Sequence, residues 1–275
     1  SADYFSIAPC GYTYRNGMIC IASRIPGKRI ALPLKDDHIC TRQIRLCIRK
    51  DYAALALPTE TRIRKHADYE NTIYIHIGYR DMLTLSNGNV YGQSLGSMTS
   101  AETQRLMEKN SARASMHTAH RRSSADGDRE KADLIKRCNL GTEKYRRNKE
   151  KQRAKTETFI NTEINRMLAA EKPAKIVITR PVTVNKTKLP SRTANRNLTR
   201  SFNGYIRERL SYKYRLNAIE LVEISSKGTG NICSLCGAEG RRMPDGFYCP
   251  DCGFAAAISL NGAKNIENNY IATRG

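Results

Sequence analysis

No run of 18 apolar residues occurs in the 275-residue chain, and its N-terminus lacks the pattern of a signal peptide. A membrane span and secretion are therefore not expected, and the reading is a cytoplasmic protein with no membrane partner. Acidic residues are also scarce. Twenty-six Asp and Glu face 47 Lys and Arg, giving a formal charge of +21 and a pI near 9.8. An excess of this sign favours polyanionic partners, through phosphate contacts and counterion release. The nine cysteines cannot all pair with one another. Five are scattered (Cys10, Cys20, Cys40, Cys47, Cys138) and four form two close pairs, which reads as reduced thiols plus one metal site rather than a disulfide framework. There is no internal repeat and no low-complexity tract.

What is present falls into successive blocks. Up to about residue 70 the chain reads as short strands. "YTYRNGMICIAS" places Asn16-Gly17 between two β-rich runs, and "KRIALPL", "IRLCIRK" and "YAALALP" follow, bounded by Gly, Pro and Asp. A small β-barrel is expected there. "TIYIHIGYRDMLTLSNGNVYG" then reads as a strand pair, with Ile73, Ile75 and Ile77 alternating and Asn87-Gly88 supplying hairpin chemistry. The polar stretch "SMHTAHRRSSADGDRE" reads as a mobile crossing between two helical patterns. From about 129 to 171 the pattern is helical, with Ile160, Ile164, Met167 and Leu168 on one face. "KIVIT" and "AIELVEI" read as further strands. Between them lies a loop that becomes a helix, on which Phe202, Tyr205, Ile206 and Leu210 form the expected buried stripe.

Two segments concentrate positive charge. "KYRRNKEKQRAK" holds Lys144, Arg146, Arg147, Lys149, Lys151 and Arg153, and residues 186 to 215 include Lys186, Lys188, Arg192, Arg196, Arg200 and Arg207 with a single acid, Glu208. These twelve basic residues are the candidate nucleic-acid contacts, because nearly one-signed runs suit phosphate.

The most specific signal is Cys233-Ser-Leu-Cys236 and Cys249-Pro-Asp-Cys252, each knuckle closed by glycine (Gly237, Gly253). Four thiolates at this spacing can meet around one tetrahedral Zn²⁺, and the glycines permit the positive φ that turns backbone amides toward sulfur. Four Cys ligands leave no open position for water, so the expected zinc is structural.

Taken in order, "IHIGYRDMLTLSNG", "KIVITRP", "ERLSYKYRLNAIELVEI", "NICSLCG", "YCPDCGF" and "LNGAKNI" resemble the C-terminal portion of TnpB-like proteins and the small type V CRISPR effectors. The resemblance implies an α/β chain: a wedge-type β-barrel (1–71), an RNase H-like (RuvC) domain with a basic helical segment (72–225), an inserted four-Cys zinc ribbon (226–256) and the last RuvC helix (257–275). Family members cleave DNA with three carboxylates that hold two Mg²⁺. Carried over one at a time, the first aspartate falls on His76, the second-motif glutamate on Thr179 and the third-motif aspartate on Ser259, with Ala257 beside it. All three carboxylates are missing, whereas Asp81, Glu220 and Glu223 lie off the motif positions.

The resemblance therefore implies a nuclease-dead RNA-guided DNA-binding protein, with guide RNA and target DNA as partners. Target occupancy without cleavage, transcriptional repression or service as an inert subunit are the outputs that follow. The chain starts at the last piece of the wedge, so the recognition lobe is expected from a second protein chain or another copy, or its place is taken by the guide RNA. Two rival readings are an RNA-independent zinc-ribbon DNA-binding regulator and a nuclease with relocated metal ligands.

Overall fold

The computed structural model describes residues 3–34, 39–48, 52–181, 202–243 and 246–273. The chain divides into two compact units, Ser1–Arg62 and Ile63–Gly275.

In the first unit β1 (Asp3–Ile7), β5 (Ile44–Ile48) and β6 (Ala53–Ala56) form one antiparallel sheet, in the order β1-β5-β6. A second antiparallel sheet joins β2 (Tyr12–Arg15), β3 (Met18–Ala22) and β4 (Arg29–Pro33). The Asn16-Gly17 turn has φ of 50° and 71°, the left-handed pair that a tight two-residue hairpin requires. Tyr12, Ile19, Ile21, Cys40 and Ile44 make the core, and the Tyr12 hydroxyl donates to the Cys40 carbonyl at 2.9 Å. The expected strands are present. Among the described residues their pairings give two three-stranded sheets and do not close into a barrel.

The second unit is built on a five-stranded sheet in the order β11-β10-β7-β8-β9. β7 (Asn71–Ile77), β8 (Leu83–Leu85) and β9 (Val90–Tyr91) form an antiparallel meander, to which β10 (Pro173–Thr179) and β11 (Glu220–Ile224) are added in parallel. Three helices separate β9 from β10: α1 (Leu95–Ala125), α2 (Arg129–Asn139) and α3 (Glu143–Glu171). α4 (Asn203–Leu216) precedes β11, and α5 (Ile258–Ala272) closes the described chain. Among the described residues no helix is long and apolar enough to cross a membrane.

Strand alternation decides which helix covers which face. Ile73, Ile75, Ile176 and Ile178 pack with Ile160, Ile164, Met167 and Leu168 of α3 and with Ile206, Leu210 and Tyr214 of α4. The intervening residues Tyr74, Val177, Val222 and Ile224 point the other way and meet Ile266 and Tyr270 of α5. The sheet is thus covered on both sides, as parallel strands require. α3 is tied to the hairpin by two carboxylates. Glu163 accepts the Gly92 N–H at 2.7 Å, and Glu171 accepts from Asn89 at 2.7 Å and from the Tyr91 hydroxyl at 2.6 Å.

One expectation is corrected. The stretch "SMHTAHRRSSADGDRE" is not a crossing until Asp126, because α1 continues through Ala125. Between Ser97 and Ala125 there is neither Gly nor Pro to stop it. Its hydroxyls bond back to the turn before, as Thr118 does to Ala114 and Ser124 to His120, so the polar side chains do not compete with the helix.

Ile75 is fully buried, so Ile75→Ala should lower unfolding free energy by about 2–5 kcal/mol in urea titrations. Ile271→Ala, at an exposed position on α5, should change it by less than about 0.5 kcal/mol.

Candidate metal centre and the end of the central sheet

The cysteine ribbon carries β12 (Arg241–Met243), β13 (Gly246–Tyr248) and β14 (Ala255–Ala256). The Cys233 and Cys252 sulfurs lie 3.7 Å apart and those of Cys236 and Cys249 3.6 Å apart, with all four within 4.8 Å of one another. A tetrahedron with Zn–S of about 2.3 Å has S–S edges of about 3.8 Å, so the sulfur set fits one zinc. The two knuckles are alike. Gly237 and Gly253 have φ of 80° and 74°, and their N–H groups each donate at 3.0 Å to the carbonyl of the preceding knuckle's first cysteine, Cys233 and Cys249.

Electrostatics favour the same conclusion. Burial alone would push the Cys233 thiol up, but the N–H groups of Cys236 and Leu235 and the neighbouring thiols outweigh it and bring it down to about 7. The Phe254 N–H favours the Cys252 thiolate, yet burial and the three other sulfurs prevail and push that thiol up to about 12. Four sulfurs this close cannot all ionise without a cation among them.

The ribbon is anchored to α5 by asparagines that the sequence reading did not single out. Asn261 accepts the Ser234 N–H at 2.9 Å and donates to the Ile232 carbonyl at 2.8 Å, and Asn265 donates to the same carbonyl at 2.7 Å. Asn268 reaches the Ser234 carbonyl at 2.9 Å. Their spacing, 261, 265 and 268, is one face of a helix and was the available signal.

The three positions carried over from the family motifs meet at one end of the sheet. Ile178 pairs with Ile75 in parallel register, so the next residues, Thr179 and His76, stand side by side. By alternation both face α5, and Ser259 lies in its first turn. The His76 ring rests against α5: a Cβ at Gly262 would lie 2.7 Å from His76 Cδ2 and 3.2 Å from Nε2. Its Nδ1 is buried with no hydrogen-bond partner. Burial and the charge of Arg242 outweigh Asp81 and pull the imidazole down to about 4, so it is neutral at physiological pH.

Asp81 belongs to this site, although by sequence alone it lies outside the motif positions. The Ser259 hydroxyl lies 3.4 Å from Asp81 Oδ2. The tight turn after β7 brings it there, because a Cβ at Gly78 would collide with the Asp81 carbonyl at 2.5 Å. The other two acids go elsewhere. Glu220 pairs with Lys175 at 2.9 Å, and Glu223 lies on the opposite face, where its charge acts on Arg207 and Tyr214. Among the described residues the four cysteines are the group of His, Cys, Asp and Glu arranged to hold a metal ion.

The basic candidates divide into three sets. Lys144, Arg146, Arg147, Lys149, Lys151 and Arg153 are exposed on the first half of α3, with Arg153 bonded to Glu157 at 2.6 Å. Arg207, expected as a nucleic-acid contact, is half-buried and donates to the Thr179 carbonyl at 2.8 Å, so it braces the sheet. Lys186, Lys188, Arg192, Arg196 and Arg200 lie outside the described residues.

Residues 204–266 match the family described as Cas12f1-like, TNB domain. No curated protein matches the chain. Among solved structures, the Cas12f1-sgRNA-target DNA complex is similar at 16% identity, over 82% of this chain and 56% of that one, with a TM-score of 0.41. The CRISPR-Cas12f ternary complex is similar at 17% identity over 82% and 45%, with a TM-score of 0.45. CasPhi-2 (Cas12j) bound to crRNA and phosphorothioate-DNA is similar at 15% identity over 50% and 22%, with a TM-score of 0.38. The chain spans about half the length of the Cas12f chains it resembles.

One zinc per chain is expected by metal analysis. Cys249→Ser should lose it, and a strong chelator should unfold the ribbon while the far-UV signal of the five-stranded sheet and its helices largely persists.

Proposed function

We propose that this chain, which carries a Cas12f1-like TNB domain and is similar to TnpB-like small type V effectors, binds nucleic acid under RNA guidance and does not cut it. One observation carries the reading: His76, Thr179 and Ser259 stand together where the family resemblance calls for three carboxylates. Mg²⁺ surrenders its water only to hard, charged oxygen ligands, and a neutral imidazole with two hydroxyls does not provide them. The parallel pairing of β7 with β10 suits an RNase H-like domain, since it sets the first-motif strand beside the second-motif strand.

In this reading the zinc is structural, and the first unit, with its two three-stranded sheets, is the wedge-like piece that meets the guide scaffold. The sequence of the target is read by base pairing, and the protein holds the heteroduplex by backbone contacts. The exposed basic half of α3 supports this role, together with the basic residues 186–200. Asp81 supports a second reading, a nuclease with relocated ligands, because among the described residues it is the carboxylate that reaches Ser259.

Neutralising Arg146, Arg147, Lys149 and Lys151 should weaken RNA binding to many sequences alike and flatten the salt dependence, by about 0.7 for each phosphate that is no longer neutralised. An unchanged slope would show that this face of α3 is only solvated. To decide between the two readings, the protein is assembled with its native RNA and matched duplex DNA in Mg²⁺ or Mn²⁺, and binding and strand integrity are followed together. Retained binding with intact strands is expected, whereas cleavage abolished by Asp81→Asn would establish the relocated site.

A further inference from the structure

We propose that Asn261 of α5 is a positioning residue for the metal centre, and that through it zinc occupancy of the ribbon sets how firmly the N-terminal end of α5 is held. Both hold whether or not the chain cuts nucleic acid.

One side chain brackets one metal ligand. Cys233 lies between the Ile232 carbonyl and the Ser234 N–H, and the Asn261 carboxamide bonds to both. Its Nδ2 donates to the Ile232 carbonyl at 2.8 Å, and its Oδ1 accepts the Ser234 N–H at 2.9 Å. The two peptide groups that flank the cysteine are thereby fixed from outside the ribbon. A carboxamide carries a donor and an acceptor on one planar head, whereas an aspartate here would keep the acceptor and lose the donor. The next amide, Leu235 N–H, donates to the Cys233 sulfur at 3.4 Å, so the bracketed turn is the one that aims a backbone donor at the ligand. Outer hydrogen bonds of this kind orient metal ligands and raise metal affinity.

Burial makes the bracket consequential. Asn261 is 1% exposed and Asn265 4%, and Asn265 gives the Ile232 carbonyl a second donor at 2.7 Å. Water does not replace these bonds, so losing the Asn261 amide strands the Ser234 N–H against the helix. Asn268 provides the contrast: it reaches the Ser234 carbonyl at 2.9 Å from an exposed position, where water substitutes for it.

The same helix end also meets the central sheet. Gly262, the residue after Asn261, packs against the His76 ring, since a Cβ there would lie 2.7 Å from His76 Cδ2. Ser259, two residues before, lies 3.4 Å from Asp81. Further along, Ile266 and Tyr270 are buried against the sheet with Val177. The knuckle therefore grips the start of α5, and the apolar face of the sheet grips the rest. When zinc leaves, the knuckle loses the closure that fixes its peptide groups, while Ile266 and Tyr270 keep the helix docked. The coupling is reciprocal: the factor by which zinc steadies the start of α5 is the factor by which a seated Asn261 raises zinc affinity.

The full chain is compared with zinc and after chelation, by amide hydrogen exchange across α5, and zinc affinity is measured by competition with a chromophoric chelator. Removing zinc from the parent should speed exchange at residues 261–264 by about 10- to 100-fold and leave residues 266–272 within about threefold. Asn261→Ala should weaken zinc binding by about the same 10- to 100-fold, and its exchange at 261–264 should be fast with zinc or without it. A purely structural asparagine would instead speed exchange equally in both states and leave the zinc-dependent difference intact, which would overturn the coupling. Asn268→Ala should bind zinc within about twofold of the parent, as expected for a bond that water replaces. Exchange in the parent that does not respond to zinc would overturn the proposal, as would an Asn261→Ala chain that binds zinc within about twofold of the parent or an Asn268→Ala chain that weakens it as much. The parent comparison needs no variant, so it decides the coupling even if Asn261→Ala does not fold. Neither measurement uses nucleic acid, so failure here leaves the proposed function standing, and cleavage by the parent leaves this coupling standing.

Discussion

The parallel register between β7 and β10 is the constraint on which the rest of the second unit depends. It fixes Ile178 beside Ile75, and therefore Thr179 beside His76. A slip of one residue would exchange the two faces of the strand. Ile73 and Ile75 would then lose α3 and α4, Tyr74 would lose α5, and His76 would leave the helix end it touches. Core and candidate site are specified by the same pairing.

The ribbon adds a second dependence. Its two knuckles have little apolar core beyond Cys233, Phe247 and Cys249, so metal binding and the asparagines of α5 share the work of holding it. Asn261 and Asn265 are both buried, and each satisfies the Ile232 carbonyl that would otherwise be stranded against the helix. The helix that bears Ser259 is thus the helix that positions the ribbon.

Much of this was legible in the chain. The alternation of Ile73, Ile75 and Ile77, the Asn87-Gly88 turn and the stripe from Ile160 to Leu168 each state a local period that the fold obeys. The cysteine spacing stated its own geometry. α1 was less legible, because a polar helix held by back-bonded hydroxyls shows no apolar period to read. Asp81 was hidden for another reason. It reaches Ser259 through a turn that Gly78 permits. That relation is not periodic in sequence.

In the proposed non-cleaving reading, the end of the central sheet differs in charge from a site built to hold metal. A sheet end that holds two divalent cations must be strongly negative when empty, and it repels a phosphate backbone until the metals arrive. In the non-cleaving reading, His76, Thr179 and Ser259 remove that repulsion, and among the described residues Asp81 is the carboxylate that lies beside Ser259. His76 cannot add to the positive side, since burial keeps it neutral well below physiological pH. What it contributes is volume: the ring fills space against Gly262, where a side chain on α5 would collide with it. Ring and glycine therefore belong together. An aspartate introduced at position 76 alone would remove that filling without assembling the three-carboxylate site of the family resemblance, because Thr179 and Ser259 supply no carboxylate.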